Sequence, residues 1–222
     1  GADGVEIDVH QTSDGVLVLM HDELLDQSTT CAGCVVSSSV EQLRDCQALS
    51  GTGESEPIPS LEDVLLALPD VFINIEIKSP ESCLGGFETS TAYVGASAQL
   101  AVDLVGVHGA SDRVQISSFE RAAIRVVEDV EPTLHTALLW STGDVNQAIQ
   151  DALWAGADTL NGHGLVVHEG VAAPIEEAGL DMWLWGIELS SDVTRVSIWE
   201  PGAMITDHPE VVRQTLIDMG LE

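Results

Sequence analysis

Residues 72–78 read FINIEIK, and from Ile73 onward this stretch alternates apolar and polar side chains. Because successive side chains of a β-strand point to opposite faces, the three isoleucines share one face and Asn74, Glu76 and Lys78 share the other. Residues 5–9, VEIDV, repeat the alternation near the start of the chain. Both stretches therefore predict strands that carry apolar side chains on one face and charged side chains on the other.

Outward from these two stretches, short apolar runs alternate with helical patterns along the chain. The predicted strands are Val5–Val9, Val71–Ile77, Val114–Ser117, Leu134–Trp140, Thr159–Leu160, Met182–Ile187 and Ala203–Thr206. The predicted helices are Leu61–Leu68, Tyr93–Val107, Glu120–Glu128, Val145–Trp154, Val171–Ala178, Asp192–Trp199 and Glu210–Met219. Near-continuous apolar strands separated by helices are typical of a parallel sheet that is covered on both faces.

The seven βα units predict an α/β fold, a (β/α)8 TIM barrel that lacks its first βα unit. Such barrels average about 250 residues, and one further unit of roughly 30–40 residues would bring this chain of 222 residues to that length. We expect one barrel domain over residues 1–222. The alternative is an open doubly wound sheet, but no Gly-x-Gly-x-x-Gly follows a predicted strand, so a dinucleotide site is not supported.

Two segments depart from the strand–helix alternation. Val16–Met20 follows an Asp14-Gly15 turn, which predicts a hairpin off the first strand. Residues 23–59 are rich in Ser, Thr, Gly and Cys and contain one short helical pattern, Val40–Leu49. A loop-rich insertion of this length, at the end of a strand where barrel active sites lie, is expected to shape or cover a site.

The charge of the chain excludes some classes of partner. Acidic residues number 37 and basic residues 7, so the formal charge is −30. We therefore expect no nucleic-acid partner, since such binding needs a basic face, and no docking on an anionic membrane. No apolar run approaches the roughly 20 residues of a membrane span, so we expect no stable membrane insertion. Lys78 is the single lysine of the chain.

The alternating strands predict a metal site. Glu6 and Asp8 share one strand face, and Glu76 lies on the corresponding face of the next predicted strand. Like charges so close repel each other unless a cation joins them or one carboxyl is protonated. Oxygen ligands suit Ca²⁺ or Mg²⁺. The alternatives are a solvent-facing carboxylate pair on an edge strand and an ordinary Glu76–Lys78 ion pair.

His21 is the candidate for proton transfer, because it ends the hairpin next to the acidic face, where negative charge favours an imidazolium. The remaining histidines are interpreted as structural, namely His10, His108, His135, His163, His168 and His208. Among them, His163 is the second candidate for a role in catalysis, because glycines flank it. Phe119 and Trp185, at or near strand ends, are candidates for lining a substrate cleft, with core packing as the alternative. Asp207 is interpreted as the cap of the last helix.

These segments, in order, resemble the glycerophosphodiester phosphodiesterase family. The matching stretches run over nearly the whole chain and are GADGVEIDV (1–9), TSDGV (12–16), HD (21–22), LD (25–26), IPSLE (58–62), NIEIK (74–78), SSF (117–119) and ITDHP (205–209). Each stretch alone is a weak signal of the family, whereas all the stretches together, in this order and with this spacing, are a specific one.

The resemblance implies a barrel that hydrolyses small-molecule glycerophosphodiesters to glycerol 3-phosphate and an alcohol. It further implies that Glu6, Asp8 and Glu76 bind a divalent metal. By the same resemblance, His21 acts in acid/base catalysis and Lys78 binds phosphate.

The chain also departs from the family pattern. It lacks the opening His-Arg-Gly strand end and the following Glu-Asn-Thr segment, it has Gln27 where an arginine is usual, and residues 186–188 are GIE instead of TVN. We therefore expect this chain to hydrolyse glycerophosphocholine very slowly or not at all. The alternatives are a barrel that binds metal or phosphoester without turnover, and a phospholipase D-type relative, which the charge of −30 disfavours.

The cysteines are Cys31, Cys34, Cys46 and Cys83, three of them in the insertion. A zinc site is disfavoured because no second Cys-x-x-Cys occurs. We expect one or two disulfides, with Cys31–Cys46 as the first pair, although all three full connectivities stay open. Disulfides would place the protein outside the cytoplasm, in the periplasm or secreted, with a cytoplasmic location as the alternative.

Overall fold

The computed structural model describes residues 1–49, 55–85 and 87–221. The strands are β1 (Gly4–Gln11), β2 (Leu17–Leu19), β3 (Gln47–Leu49), β4 (Ser55–Pro57), β5 (Phe72–Ile77), β6 (Val114–Ser118), β7 (His135–Trp140), β8 (Thr159–His163), β9 (Asp181–Trp185) and β10 (Ala203–Ile205). The helices are α1 (Leu25–Ser28), α2 (Val40–Leu43), α3 (Leu61–Ala67), α4 (Glu81–Leu84), α5 (Phe87–Val107), α6 (Arg121–Val130), α7 (Val145–Ala155), α8 (Glu169–Glu177), α9 (Ser190–Val196) and α10 (Pro209–Met219).

Eight strands form one sheet in the order β10-β9-β8-β7-β6-β5-β1-β2. All neighbours pair in parallel except β2, which pairs antiparallel with β1 as the predicted hairpin. The rings of Phe72 on β5 and Trp183 on β9 lie 5.8 Å apart although three strands separate them, so the sheet curls around an interior. Between the described residues of β10 and β1 no ladder forms; the further βα unit stays a prediction.

The outer face of the sheet packs against the helices. Ile73, Ile75 and Ile77 are buried in a cluster with residues of α3 and α5, such as Leu61 and Val94. This is the face that the alternation assigns to apolar side chains, so the polar face of β1 and β5 is directed into the barrel interior. None of the helices found in the described ranges is both long and apolar enough to cross a membrane.

Helix α3 begins where the sequence predicts. The Ser60 hydroxyl accepts a hydrogen bond from the Asp63 N–H, and the Asp63 carboxylate accepts from the Ser60 N–H, which completes a capping box. The cap of α10 was predicted wrongly. His208 is the N-cap, without a side-chain cap bond, and Pro209 opens the helix, so Asp207 lies outside it.

Other boundaries shift as well. The predicted helix Val40–Leu49 is wrong beyond Leu43, because residues 47–49 form β3, which pairs with β4. Helix α5 begins at Phe87 and not at Tyr93. Its first turns contain Thr and Ser, which favour helices weakly, but the Ser90 hydroxyl hydrogen-bonds with that of Ser79, a tertiary contact that the local pattern does not show. Strand β8 extends to His163, beyond the predicted Leu160.

Two disulfides hold the insertion. Cys31–Cys46, the predicted first pair, joins two parts of the insertion with a Cα–Cα distance of 5.5 Å. Cys34–Cys83 connects the insertion to the segment after β5, with a Cα–Cα distance of 6.1 Å. The Glu23 carboxylate accepts a hydrogen bond of 3.1 Å from the Cys83 N–H at the same junction. The insertion is therefore fastened to the loop that follows Lys78.

The acidic surface leads to a prediction about salt. The 7 basic residues cannot pair the 37 acidic ones, and five of the arginines already lie in ion pairs with acids, namely Arg44, Arg121, Arg125, Arg195 and Arg213. The unpaired acids repel one another, and salt screens that repulsion. We expect the melting temperature to rise from dilute buffer to molar NaCl, by about 2–4 °C for each kcal/mol of charge repulsion that the salt relieves. An unchanged melting temperature would contradict this expectation.

Candidate active site

Three carboxylates come together at the carboxyl ends of β1 and β5. Asp8 lies directly beside Glu76 in the parallel register, and Glu6 lies two residues before Asp8 on the same face. One carboxylate oxygen from each of the three residues can be chosen so that all lie within 4.8 Å of one another. The alternation predicted this convergence, and the parallel pairing of β1 with β5 produces it.

Lys78 completes the charged group. Its Nζ lies 2.9 Å from Glu76 Oε1 and 3.4 Å from Asp8 Oδ1. Its backbone N–H donates to the Val9 carbonyl, which continues the ladder one residue beyond β5. Burial disfavours the ammonium, but the charges of Glu76 and Asp8 outweigh this effect and raise the pKa of Lys78. The single lysine thus stays charged among the carboxylates.

Glu6 has a strongly perturbed carboxyl. Burial, followed by the charges of Asp8 and Glu76, raises the pKa of Glu6 to about 8. Its Oε1 atom is buried and has no hydrogen-bond partner among the described residues. The three carboxylates, one of which carries this unpartnered oxygen, form an all-oxygen donor set. Such a set fits a hard divalent cation of the Ca²⁺ or Mg²⁺ type. Such a cation would favour the deprotonated form of Glu6.

His21 lies at the rim of this group. The Met20 N–H donates to the Asp8 carbonyl at 3.1 Å, which places the end of the hairpin beside β1. The His21 side chain is 72 % exposed, and its Nδ1 lies 3.0 Å from Asp22 Oδ1. Burial raises the pKa of Glu76, and the charges of Lys78 and, to the smallest extent, His21 oppose this rise. Nε2 of His21 is therefore the ring nitrogen left for a substrate.

Two residues at the site were missed by the sequence analysis. His10 was interpreted as structural, yet it follows Glu6 and Asp8 at the same period of two, and this period was the available signal. It is buried, and burial lowers its pKa to about 4, an effect that a hydrogen bond with the His21 backbone opposes. Asp207, interpreted as a helix cap, lies near enough to Glu6 to help raise the pKa of Glu6.

Phe119, which follows β6, contacts Trp185, which ends β9. Their rings pack edge to face, with centroids 5.9 Å apart. Phe119 is 44 % exposed, so core packing does not explain it. His163, at the end of β8, packs on Trp185 with ring centroids 4.3 Å apart. These three residues are called the aromatic wall below.

The barrel and the position of the charged group at the carboxyl ends of its strands define an α/β-barrel enzyme. Solved structures agree with the fold. A phosphodiesterase of Oleispira antarctica in complex with the product sn-glycerol-3-phosphate matches with a TM-score of 0.84 and 20 % identity, over 98 % of this chain and 86 % of that one. A glycerophosphodiester phosphodiesterase of Parabacteroides distasonis matches with a TM-score of 0.81 and 22 % identity, over 99 % and 85 % of the two chains.

Sequence comparison then gives the family. The model of the glycerophosphoryl diester phosphodiesterase family matches residues 1–211. A glycerophosphodiester phosphodiesterase of Caldanaerobacter subterraneus subsp. tengcongensis is 30 % identical over 217 residues, which cover 96 % of this chain and 85 % of that protein. The chain belongs to the glycerophosphoryl diester phosphodiesterase family.

Proposed function

We propose that this protein hydrolyses glycerophosphodiesters to glycerol 3-phosphate and an alcohol, with the help of a divalent cation. The convergence of Glu6, Asp8, Glu76 and Lys78 at one strand end carries the proposal. Family membership supports the reaction, and the Oleispira antarctica relative binds sn-glycerol-3-phosphate as its product. The substrate is a small molecule that enters at the carboxyl end of the barrel.

The charged residues divide into two roles in this proposal. Glu6, Asp8 and Glu76 would hold Ca²⁺ or Mg²⁺, which supplies Lewis-acid neutralisation of the phosphodiester when bound. The Lys78 ammonium, only 17 % exposed between Asp8 and Glu76, donates to a phosphate oxygen. Donors that are fixed before the reaction stabilise the developing charge without reorganisation, and this is usually the largest catalytic term.

His21 moves the proton. In the proposed reaction the glycerol hydroxyl attacks phosphorus, the P–O bond to the alcohol breaks, and water then opens the cyclic phosphate. Each step takes a proton from an attacking oxygen and gives one to a leaving oxygen, which is general acid–base work. Since Nδ1 of His21 contacts Asp22, Nε2 is the exchanging atom. Phe119 and Trp185 bind the organic part of the substrate.

The test is the release of glycerol 3-phosphate from glycerophosphocholine by the chain after chelation and after reloading with Ca²⁺ or Mg²⁺. We expect release with metal and none after chelation. Because the chain departs from the sequence pattern of the family, we expect a rate of release below that of a complete family member. Release that is insensitive to chelation would contradict the metal dependence, and the complete absence of release from any glycerophosphodiester would contradict the hydrolase proposal.

The departures at Gln27 and at residues 186–188 favour one second candidate, a barrel that binds metal or phosphoester without turnover. Calorimetry separates the two candidates. Metal-dependent binding of glycerol 3-phosphate together with no release of product from any glycerophosphodiester would favour the binding protein.

Two further features of the whole chain are proposed. Residues 1–222 form one barrel domain that carries the insertion at residues 23–59. The two disulfides are typical of oxidising compartments, which supports a location in the periplasm or outside the cell. Mass spectrometry of protein from an oxidising compartment should find no free thiols, and four free thiols would remove the argument for export.

Replacing Lys78 with glutamine should weaken substrate binding and spare metal binding. The loss of a charged hydrogen bond to phosphate costs about 1.5–3 kcal/mol, or roughly 10- to 100-fold in kcat/KM. Cation affinity should be kept or increased, because Lys78 no longer competes for Asp8 and Glu76. Arg44→Gln, which removes an exposed charge paired with Glu41, is the control for net charge. A K78Q variant with unchanged kcat/KM would contradict the phosphate role.

A further inference from the structure

The aromatic wall contains a side chain that the catalytic proposal does not use. His163 ends β8, and its residue position pairs with Trp185 in the parallel register, so both side chains belong to the inward face. The rings pack nearly perpendicular, at an interplanar angle of 80°. Trp185 in turn contacts the exposed Phe119. His163 is therefore held by an aromatic neighbour at the mouth of the barrel.

The backbone determines which nitrogen of His163 carries the proton. The Leu165 N–H donates a hydrogen bond of 3.1 Å to His163 Nδ1. Nδ1 is thus an acceptor, and the proton of the neutral ring lies on Nε2. No described residue accepts a hydrogen bond from Nε2. His163 consequently offers a fixed N–H donor at Nε2.

A glycerophosphodiester has two organic parts, and the site distinguishes between them. The glycerol part carries the attacking hydroxyl, so it must lie next to the charged residues of β1 and β5. The aromatic wall belongs to β6, β8 and β9; it begins on β6, which pairs with β5 on the side away from β1, and continues along the sheet from there. When phosphate lies at Lys78, the leaving alcohol is the part that extends toward the wall.

Glycine keeps the space beside Nε2 open. Gly186 follows β9 with a φ of +69°, and a Cβ at this position would lie 2.8 Å from His163 Nε2. Any other residue would both strain the backbone and collide with the ring. At residues 186–188, where this chain has GIE and departs from the family pattern, the glycine thus lies directly beside the Nε2 atom of His163.

We propose that His163 is a specificity-determining residue whose Nε2–H donates to a hydroxyl of the leaving alcohol, so that the site prefers diesters of polyols. This inference rests on the proposed function and names its substrate class. A polyol combines apolar C–H groups, which pack on aromatic rings, with hydroxyl oxygens, which accept hydrogen bonds. A quaternary ammonium could contact the rings but offers no acceptor to Nε2–H. His163 does not transfer the reaction's proton.

The test compares binding of three diesters by calorimetry in the presence of Ca²⁺ or Mg²⁺, and released glycerol 3-phosphate is assayed after each titration so that binding is scored only on intact diester. The diesters are glycerophosphoglycerol, glycerophosphoethanol and glycerophosphocholine. We expect the unmodified chain to bind glycerophosphoglycerol about tenfold more tightly than glycerophosphoethanol, the size expected for one hydrogen bond. His163→Phe keeps a ring without a donor and should remove this difference.

The control is a second histidine with the same local geometry. His168 Nδ1 accepts from the Gly170 N–H at 3.1 Å, as His163 Nδ1 accepts from Leu165, but His168 is the cap of α8. His168→Phe should keep the preference for glycerophosphoglycerol. Thermal melting of both variants checks that they fold, and the comparison of diesters by the unmodified chain stands even if a variant does not.

The outcomes separate this inference from the function on which it rests. If no diester binds with metal present, the proposed function fails and the inference fails with it. Equal affinity for glycerophosphoglycerol and glycerophosphoethanol, or a preference that survives in H163F, overturns the inference alone. Tighter binding of glycerophosphocholine than of glycerophosphoglycerol would show that the wall selects an ammonium, and would overturn it as well.

Discussion

Replacing Glu76 with glutamine is expected to lower the affinity for a divalent cation at least about 100-fold, because outer-shell partners of metal ligands alone account for about 10- to 100-fold. The amide removes one of the three negative charges that converge at the carboxyl ends of β1 and β5. It also replaces one carboxylate oxygen with an N–H₂ group, which cannot ligate a cation, while the remaining oxygen can keep the contact with Lys78 Nζ, now 2.9 Å from Glu76 Oε1. Calorimetric titration of the chelated protein with Ca²⁺ and Mg²⁺ measures the effect.

Glu128→Gln is the matched control for this result. Glu128 is a half-buried carboxyl on α6 with a raised pKa, caused first by burial, and it accepts a hydrogen bond of 2.6 Å from Thr136 at the start of β7. It therefore shares with Glu76 a pKa that is raised first by burial, but it lies near the start of β7, at the opposite end of the barrel. The control should bind the cation like the unmodified chain. An unchanged cation affinity in E76Q would refute the ligand role of Glu76.

How far the sequence predicts this site depends on the range of the interactions involved. The alternation in β1 and β5 is local, so it correctly predicts that Glu6, Asp8, Glu76 and Lys78 share one face, and the parallel fold then brings the strands together. The same alternation includes His10, which was missed because a lone histidine in an apolar strand is usually structural. The metal-binding and catalytic roles of these residues stay proposals.

Non-local contacts explain most of what the sequence did not predict. Residues 44–49 continue a helical pattern from Val40, but the pairing of β3 with β4 and the Cys31–Cys46 bond favour an extended strand there. The position of Asp207 depends on the return of β10 toward β1, which no local pattern encodes. His163 shows the same limit, since its proposed role in substrate binding depends on its contacts with Trp185, at the end of the neighbouring strand, and with Gly186, which follows that strand.

Removing the Cys34–Cys83 disulfide by paired alanine substitution is expected to destabilise the fold and to loosen the loop after Lys78. For a sequence separation of 49, the chain-entropy model gives about 4 kcal/mol, which corresponds to a fall in melting temperature of roughly 8–16 °C. The Cys83 N–H also donates to Glu23, so both links between the insertion and this loop weaken together. Thermal melting and calorimetry with glycerol 3-phosphate in the presence of metal measure the two effects.

Cys31→Ala with Cys46→Ala is the matched control, because this bond lies within the insertion and does not reach the loop after β5. Its separation of 15 gives about 3 kcal/mol, so the control should also melt earlier. It should nevertheless bind glycerol 3-phosphate like the unmodified chain, whereas the Cys34–Cys83 pair variant should bind it more weakly, since Lys78 is attached to the loosened loop. Equal weakening in both variants would mean that the insertion stabilises the whole barrel and does not position Lys78 through Cys83.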